Sequence, residues 1–209
     1  MKKTCLAAAT ILLFALALPA APGRVAKRFA VPSECATGLA FDGEAFWTVD
    51  METDKLYRLD PADGRVLAEF DAPGYFCTAL AWDGRSLWAA DMDFTNTSAE
   101  EYCGKLYQLD PKTGRTLKVI MAPASDPQGL AWDGVSLWVS DNGTRELFQV
   151  SPDDGTTIKT LKAPAGDPRG LAWDGRFLWL ADRSEDELYR IDPESGRVLM
   201  ILPAPGPHS

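Results

Sequence analysis

A hexapeptide that occurs four times constrains this chain more than any other feature. Gly38-Leu-Ala-Phe-Asp-Gly43 recurs from Ala79, Gly129 and Gly170, at start-to-start spacings of 41, 50 and 41 residues. A second aromatic segment follows in each copy: Phe46-Trp-Thr-Val-Asp50, Leu87-Trp-Ala-Ala-Asp91, Leu137-Trp-Val-Ser-Asp141 and Leu178-Trp-Leu-Ala-Asp182. A third runs Lys55-Leu-Tyr-Arg-Leu-Asp60, with counterparts from Lys105, Glu146 and Glu187, and a fourth follows a glycine, as in Gly64-Arg-Val-Leu. Asp-Gly after the first segment suits a tight turn needing positive φ, and Asp-Pro-x-x-Gly (Ser-Pro-Asp-Asp-Gly in the third copy) marks the last turn. Each copy therefore reads as four short antiparallel strands.

Leu and Trp are adjacent in the second segment, so both faces of each sheet are apolar. A single sheet of this size cannot bury two faces, whereas sheets arranged radially around an axis cover one another. The fold class is all-β: a small propeller of four blades of four antiparallel strands (38–73, 79–123, 129–164, 170–202). An open row would leave two apolar faces in water, so closure into a ring is expected. Residues 24–31 resemble a fourth strand, giving five fourth strands for four blades. This extra N-terminal strand adds beside strand 197–202, displaces it, or joins a second copy in a homo-oligomer.

The first twenty residues differ in kind: Lys2 and Lys3, an apolar stretch from Cys5 to Leu18, then Leu18-Pro19-Ala20. This is the layout of a signal peptide, too short for a membrane span, and it places the protein in the periplasm or outside the cell. The net charge of −9 becomes −9 − 2 = −11 without the two lysines, and no basic stripe exists for a polyanion, which argues against nucleic acid. Three cysteines remain: Cys35, Cys77 and Cys103. In an oxidising compartment they suggest one bridge, expected between Cys77 and Cys103, with Cys35–Cys77 the rival. Residues 203–209 form a proline-rich tail carrying the chain's single histidine, His208.

The pattern Gly-Leu-Ala-Trp-Asp-Gly…Leu-Trp-Val-x-Asp…Leu-Tyr-x-Leu-Asp-Pro-x-x-Gly resembles exported bacterial propellers of the gluconolactonase-like, streptogramin-lyase-like and glutaminyl-cyclotransferase-like kinds. The resemblance covers residues 24–202 and implies fold more than function. In the lactonase-like and cyclotransferase-like members it implies a glutamate directly before the opening glycine. Thr37, Thr78, Gln128 and Arg169 stand there instead. The lyase-like members depend on a histidine base, and His208 lies on the tail. The expectation is thus a non-catalytic binding module, with an enzyme using axial carboxylates and a divalent metal as the alternative.

Two residue sets are candidates. Asp50, Asp91, Asp141 and Asp182 end the second strands and are the candidate cation ligands, though each also suits a turn that binds backbone N–H groups. No other cofactor is implied. The second copy carries an insertion, and long connections on rigid scaffolds host binding residues. Asp91, Asp93, Phe94, Glu100, Glu101 and Tyr102, with Arg169 and Arg183 on the same rim, are therefore candidates for a small polar ligand or a protein partner.

Overall fold

The computed structural model describes Val25 and residues 27–33, 35–92 and 104–205. Four sheets follow one another along the chain, each antiparallel and ordered as the strands occur in sequence. Blade 1 holds β1 (Ala36–Phe41), β2 (Phe46–Asp50), β3 (Lys55–Leu59) and β4 (Val66–Asp71). Blade 2 holds β5 (Cys77–Trp82), β6 (Leu87–Asp91), β7 (Lys105–Leu109) and β8 (Thr116–Met121). Blade 3 is β9 (Pro127–Trp132), β10 (Leu137–Asp141), β11 (Glu146–Val150) and β12 (Thr157–Lys162). Blade 4 is β13 (Pro168–Trp173), β14 (Leu178–Asp182), β15 (Glu187–Ile191) and β16 (Val198–Pro203). Among the described residues no helix is long and apolar enough to cross a membrane.

The turns show why these sequences fold this way. Gly43, Gly84, Gly134 and Gly175 take φ between 93° and 102°, a region L side chains avoid. The preceding aspartates brace the four-residue loops. Asp133, for example, accepts the Val135 and Ser136 backbone N–H groups at 2.8 and 2.7 Å.

Every sheet has a forward face toward the next blade and a rear face toward the previous one. Across the first junction, Ala40, Trp47, Val49 and Leu56 meet Leu80, Leu87, Ala89 and Leu109. Equivalent residues fill the junctions between blades 2 and 3 and between blades 3 and 4. Trp47, Trp88 and Trp138 are each 1% exposed. Hydroxyls stitch the junctions: Thr37 Oγ1 donates to the Cys77 carbonyl at 2.8 Å, Thr78 Oγ1 to Pro127 at 2.5 Å, and Ser140 Oγ to Arg169 at 2.7 Å.

The expected closed ring is not completed. Among the described residues no apolar cluster joins blade 4 to blade 1, so the molecule is an arc of four blades with an open side. Sheets filled with Trp and Leu lie about 10 Å apart, which limits how tightly four of them converge on an axis. Val25 and residues 27–31, read from sequence as a strand, join no sheet.

The expected disulfide is corrected as well. Cys77 and Cys35 are both free thiols, and Cys103 lies outside the described residues. Cys77 is 1% exposed inside the junction between blades 1 and 2, and its Sγ lies 3.7 Å from the Gly74 carbonyl. It opens β5, two strands from the start of β7, a separation of about 9–10 Å that a bridge cannot span between regular strands.

Candidate functional site

The first strand of every blade carries a β-bulge near its start. The ladder passes from Ala36 to Gly38, from Cys77 to Ala79 and from Pro127 to Gly129, and in blade 4 from Pro168 to Leu171. The skipped residues include Thr37, Thr78, Gln128 and Arg169, the positions at which the family resemblance implies a glutamate. A bulge re-aims the side chain it carries, so these four are placed at the axial mouth. Thr37, Thr78 and Gln128 line an apolar axial cleft of about 440 Å³, together with Leu39, Leu80, Leu130, Leu171, Trp179 and Leu188.

The four bulge residues divide into two pairs. Thr37 and Thr78 spend their hydroxyls on the next blade's carbonyls, as described. Arg169 instead donates through Nη1 to Gln128 Oε1 at 2.7 Å, while Gln128 Nε2 donates to Asp126. Arg169 Nε is also 2.7 Å from Asp167 Oδ1, and Arg183 Nε donates to Asp167 Oδ2 at 2.8 Å. Burial works to raise the Asp167 carboxyl's pKa, but bonding to Arg169 and Arg183 outweighs it and holds the group below the usual carboxylate value. Asn142 Nδ2, at 3.2 Å from Asp126 Oδ2, extends this polar chain across the rim of blades 3 and 4. Arg169 and Arg183, both expected from sequence, thus converge on one aspartate.

Asp91 lies at the rim of blade 2, 5% exposed, and accepts the Phe76 N–H at 2.7 Å. Tyr75 and Phe76 beside it are 69% and 39% exposed. Asp93, Phe94, Glu100, Glu101 and Tyr102 lie outside the described residues. Asp167 is the hub of this network, bonded to both Arg169 and Arg183. The available signal was the change from Thr at the first two bulges to Gln and Arg at the last two.

The four strand-ending aspartates face into their own blades. Asp50, Asp141 and Asp182 are between 0% and 3% exposed. Asp50 takes N–H bonds from Cys35, Glu52 and Thr53 and hydroxyl bonds from Thr53 and Ser33. Asp141 takes the Asp126 and Thr144 N–H groups, and Asp182 those of Asp167, Ser184 and Glu185. In blades 1, 3 and 4 the carboxylate ties the loop entering the first strand to the turn leaving the second. Among the described residues no group of three or more His, Cys, Asp or Glu side chains is arranged to hold a metal ion.

The family described as SMP-30/Gluconolactonase/LRE-like region matches residues 77–209, well over half of the chain. Glutaminyl cyclase from Myxococcus xanthus superposes with a TM-score of 0.68 at 18% identity, over 81% of this chain and 70% of that one. A catalytically inactive virginiamycin B lyase from Staphylococcus aureus, solved with quinupristin, gives 0.53 at 18% identity, over 82% and 56%. The computationally designed Ika4 protein gives 0.51 at 12% identity, over 87% and 99%. These structural likenesses show the fold, and no curated protein sequence matches the chain. With repeat, topology and family match in agreement, the chain belongs to the SMP-30/gluconolactonase/LRE-like region family.

Proposed function

We propose that this is an exported, non-catalytic binding propeller whose recognition surface is the rim around Arg169 and Arg183. One observation carries the reading: the bulge side chains at the axial mouth are engaged as structural fasteners. Two hydroxyls clamp neighbouring blades, and the Gln128–Arg169 pair is held by Asp126 and Asp167. A general base needs an acceptor free to reach the substrate, and these groups have other partners. Two guanidinium groups over one carboxylate leave donors for a small polar ligand or an acidic protein segment. The insertion's Asp93, Phe94, Glu100, Glu101 and Tyr102 would complete the surface from blade 2.

The test is capture from periplasmic extract with immobilised protein, comparing wild type with the Arg169→Ala/Arg183→Ala variant. Loss of the captured species in the variant, at unchanged thermal midpoint, supports the reading; equal capture by both refutes it. The family match favours a second reading, a propeller enzyme using carboxylates and a divalent ion. Turnover of a lactone or an N-terminal glutaminyl peptide, dependent on added Ca²⁺ and lost in Asp167→Asn, would establish that reading instead.

A further inference from the structure

Three junctions inside the chain share one construction, and the open side lacks it. In each junction the next blade crowds the small residue that follows the bulge. A Cβ on Gly38 would meet Ala79 and Leu80 backbone at 2.9 Å, and one on Gly129 would meet the Arg169 carbonyl at 2.3 Å. At Gly170 the nearest atom is the blade's own Ala181 Cβ at 3.8 Å. Forward-face residues that are buried in blades 1 to 3 are uncovered in blade 4: Ala172 is exposed, while Trp179 and Leu188 are half-buried. Arg190 Nε on the same face is a buried donor without a hydrogen-bond partner. Its counterparts Arg58, Gln108 and Gln149 each donate to a turn aspartate. On the rear face of blade 1, Leu39 is 67% exposed, whereas Leu80, Leu130 and Leu171 are between 2% and 8% exposed. Phe41 beside it is 49% exposed.

The outer part of this opening is already furnished. Phe29 lies against Gly64 as Phe70 lies against Gly114 and Leu161 against Gly196. Lys27 Nζ donates to the Ala62 carbonyl, repeating Lys118 to Asp153 and Lys159 to Pro193. Residues 27–31 thus occupy the place that β4, β8 and β12 hold against the following blade. Arg28 reaches the other way, donating to the Pro205 carbonyl just past β16 at 3.2 Å. Among the described residues, the inner part of a sheet is what the opening lacks.

We propose that the space between blades 4 and 1 is a fifth blade position. Residues 27–31 supply its outermost strand, and a partner polypeptide docks a three-stranded antiparallel sheet into the rest. The partner's rear face carries Leu, Ala and Tyr side chains against Ala172, Trp179 and Leu188. Its forward face carries small residues and a Trp against Leu39 and Phe41. Both docking faces continue an interface that the chain makes three times within itself. An intact blade 4 of a second copy would bring its own β16 into the place of residues 27–31, which disfavours self-pairing.

The probe is a tagged polypeptide with the sequence of residues 127–151, the first three strands of blade 3. It is co-expressed with the full chain and, separately, joined after Pro205. The separate probe should co-purify at one per chain, and Phe29→Asp should reduce its retention about tenfold. The joined form should melt about 5 °C or more above the parent and bury Trp179, read as a blue-shifted emission. An unchanged midpoint in the joined form overturns the fifth position. Gain in the joined form without retention of the separate probe overturns docking by a separate partner. Sedimentation of the full chain as a dimer that protects Leu39 and Trp179 from exchange or labelling assigns the opening to a second copy and overturns the proposal. Rim capture through Arg169 and Arg183 is unaffected by any of these results, so the two readings fail separately.

Discussion

The indole N–H of Trp138 donates to Asp133 at 2.9 Å, and the same carboxylate braces the turn between them. The pair recurs as Trp47–Asp42, Trp88–Asp83 and Trp179–Asp174, at 2.8 to 2.9 Å. One aspartate thereby sets both the hairpin and the orientation of the largest side chain in the junction.

Asp133→Ala should therefore destabilise the protein by about 2–4 kcal/mol, since it strands a buried indole donor and two turn N–H groups. Asp174→Ala should cost about half as much, because Trp179 is half-buried and water replaces the lost acceptor. Urea unfolding of the two variants side by side measures the difference.

Glycine substitutions report the open side independently. Gly129→Ala forces a Cβ onto the next blade's backbone and should cost about 2–3 kcal/mol or more. Gly170→Ala meets no neighbouring blade and should change stability by less than about 1 kcal/mol. Equal losses in thermal or urea unfolding would show that blade 4 is covered.

Acid sensitivity follows from the depressed carboxyls. Burial opposes charge at Asp42, Asp50 and Asp174. Bonds from Trp47 and Arg58, from Ser33, Thr53 and Cys35, and from Trp179 nevertheless hold the three below the ordinary value. A carboxyl with a lower pKa folded than unfolded adds stability above the unfolded value of about 3.9, and this is lost as pH falls through the folded value. Urea midpoints should change little from these groups between about pH 5 and 7 and drop below about pH 4. The drop should be shallower in Asp42→Asn.

Burial pushes the Cys77 thiol pKa well upward, reinforced by the nearby Asp91 charge. Thiolate-selective reagents should modify Cys77 only after unfolding, while Cys35, half-buried, reacts in the native protein. Mass mapping with and without denaturant checks this, and non-reducing peptide maps should contain no bridge to Cys77.

Strands and turns were legible because each is set by residues a few positions apart: Asp-Gly, Asp-Pro-x-x-Gly and the short aromatic segments between them. The disulfide expectation failed because Cys77 is a free thiol buried among the apolar side chains of the first junction, a placement that only the packing of two blades determines. Ring closure failed similarly, because the angle between blades depends on how Trp47 and its equivalents fill a junction. Arg169 and Arg183 were visible as departures from the repeat. Their convergence on Asp167 depends on a bulge, which no single residue announces.

The uncovered side also shapes how the chain comes apart. Blades 2 and 3 are held on both faces, while blades 1 and 4 each lean on one neighbour, so the arc resembles a short stack with two free ends. In such a stack the protective energy of a unit is its own plus that of its contacts. Amide exchange should then be slowest in β5, β6, β9 and β10 and quicken outward, with the chain unravelling from its first and last blades toward the middle pair.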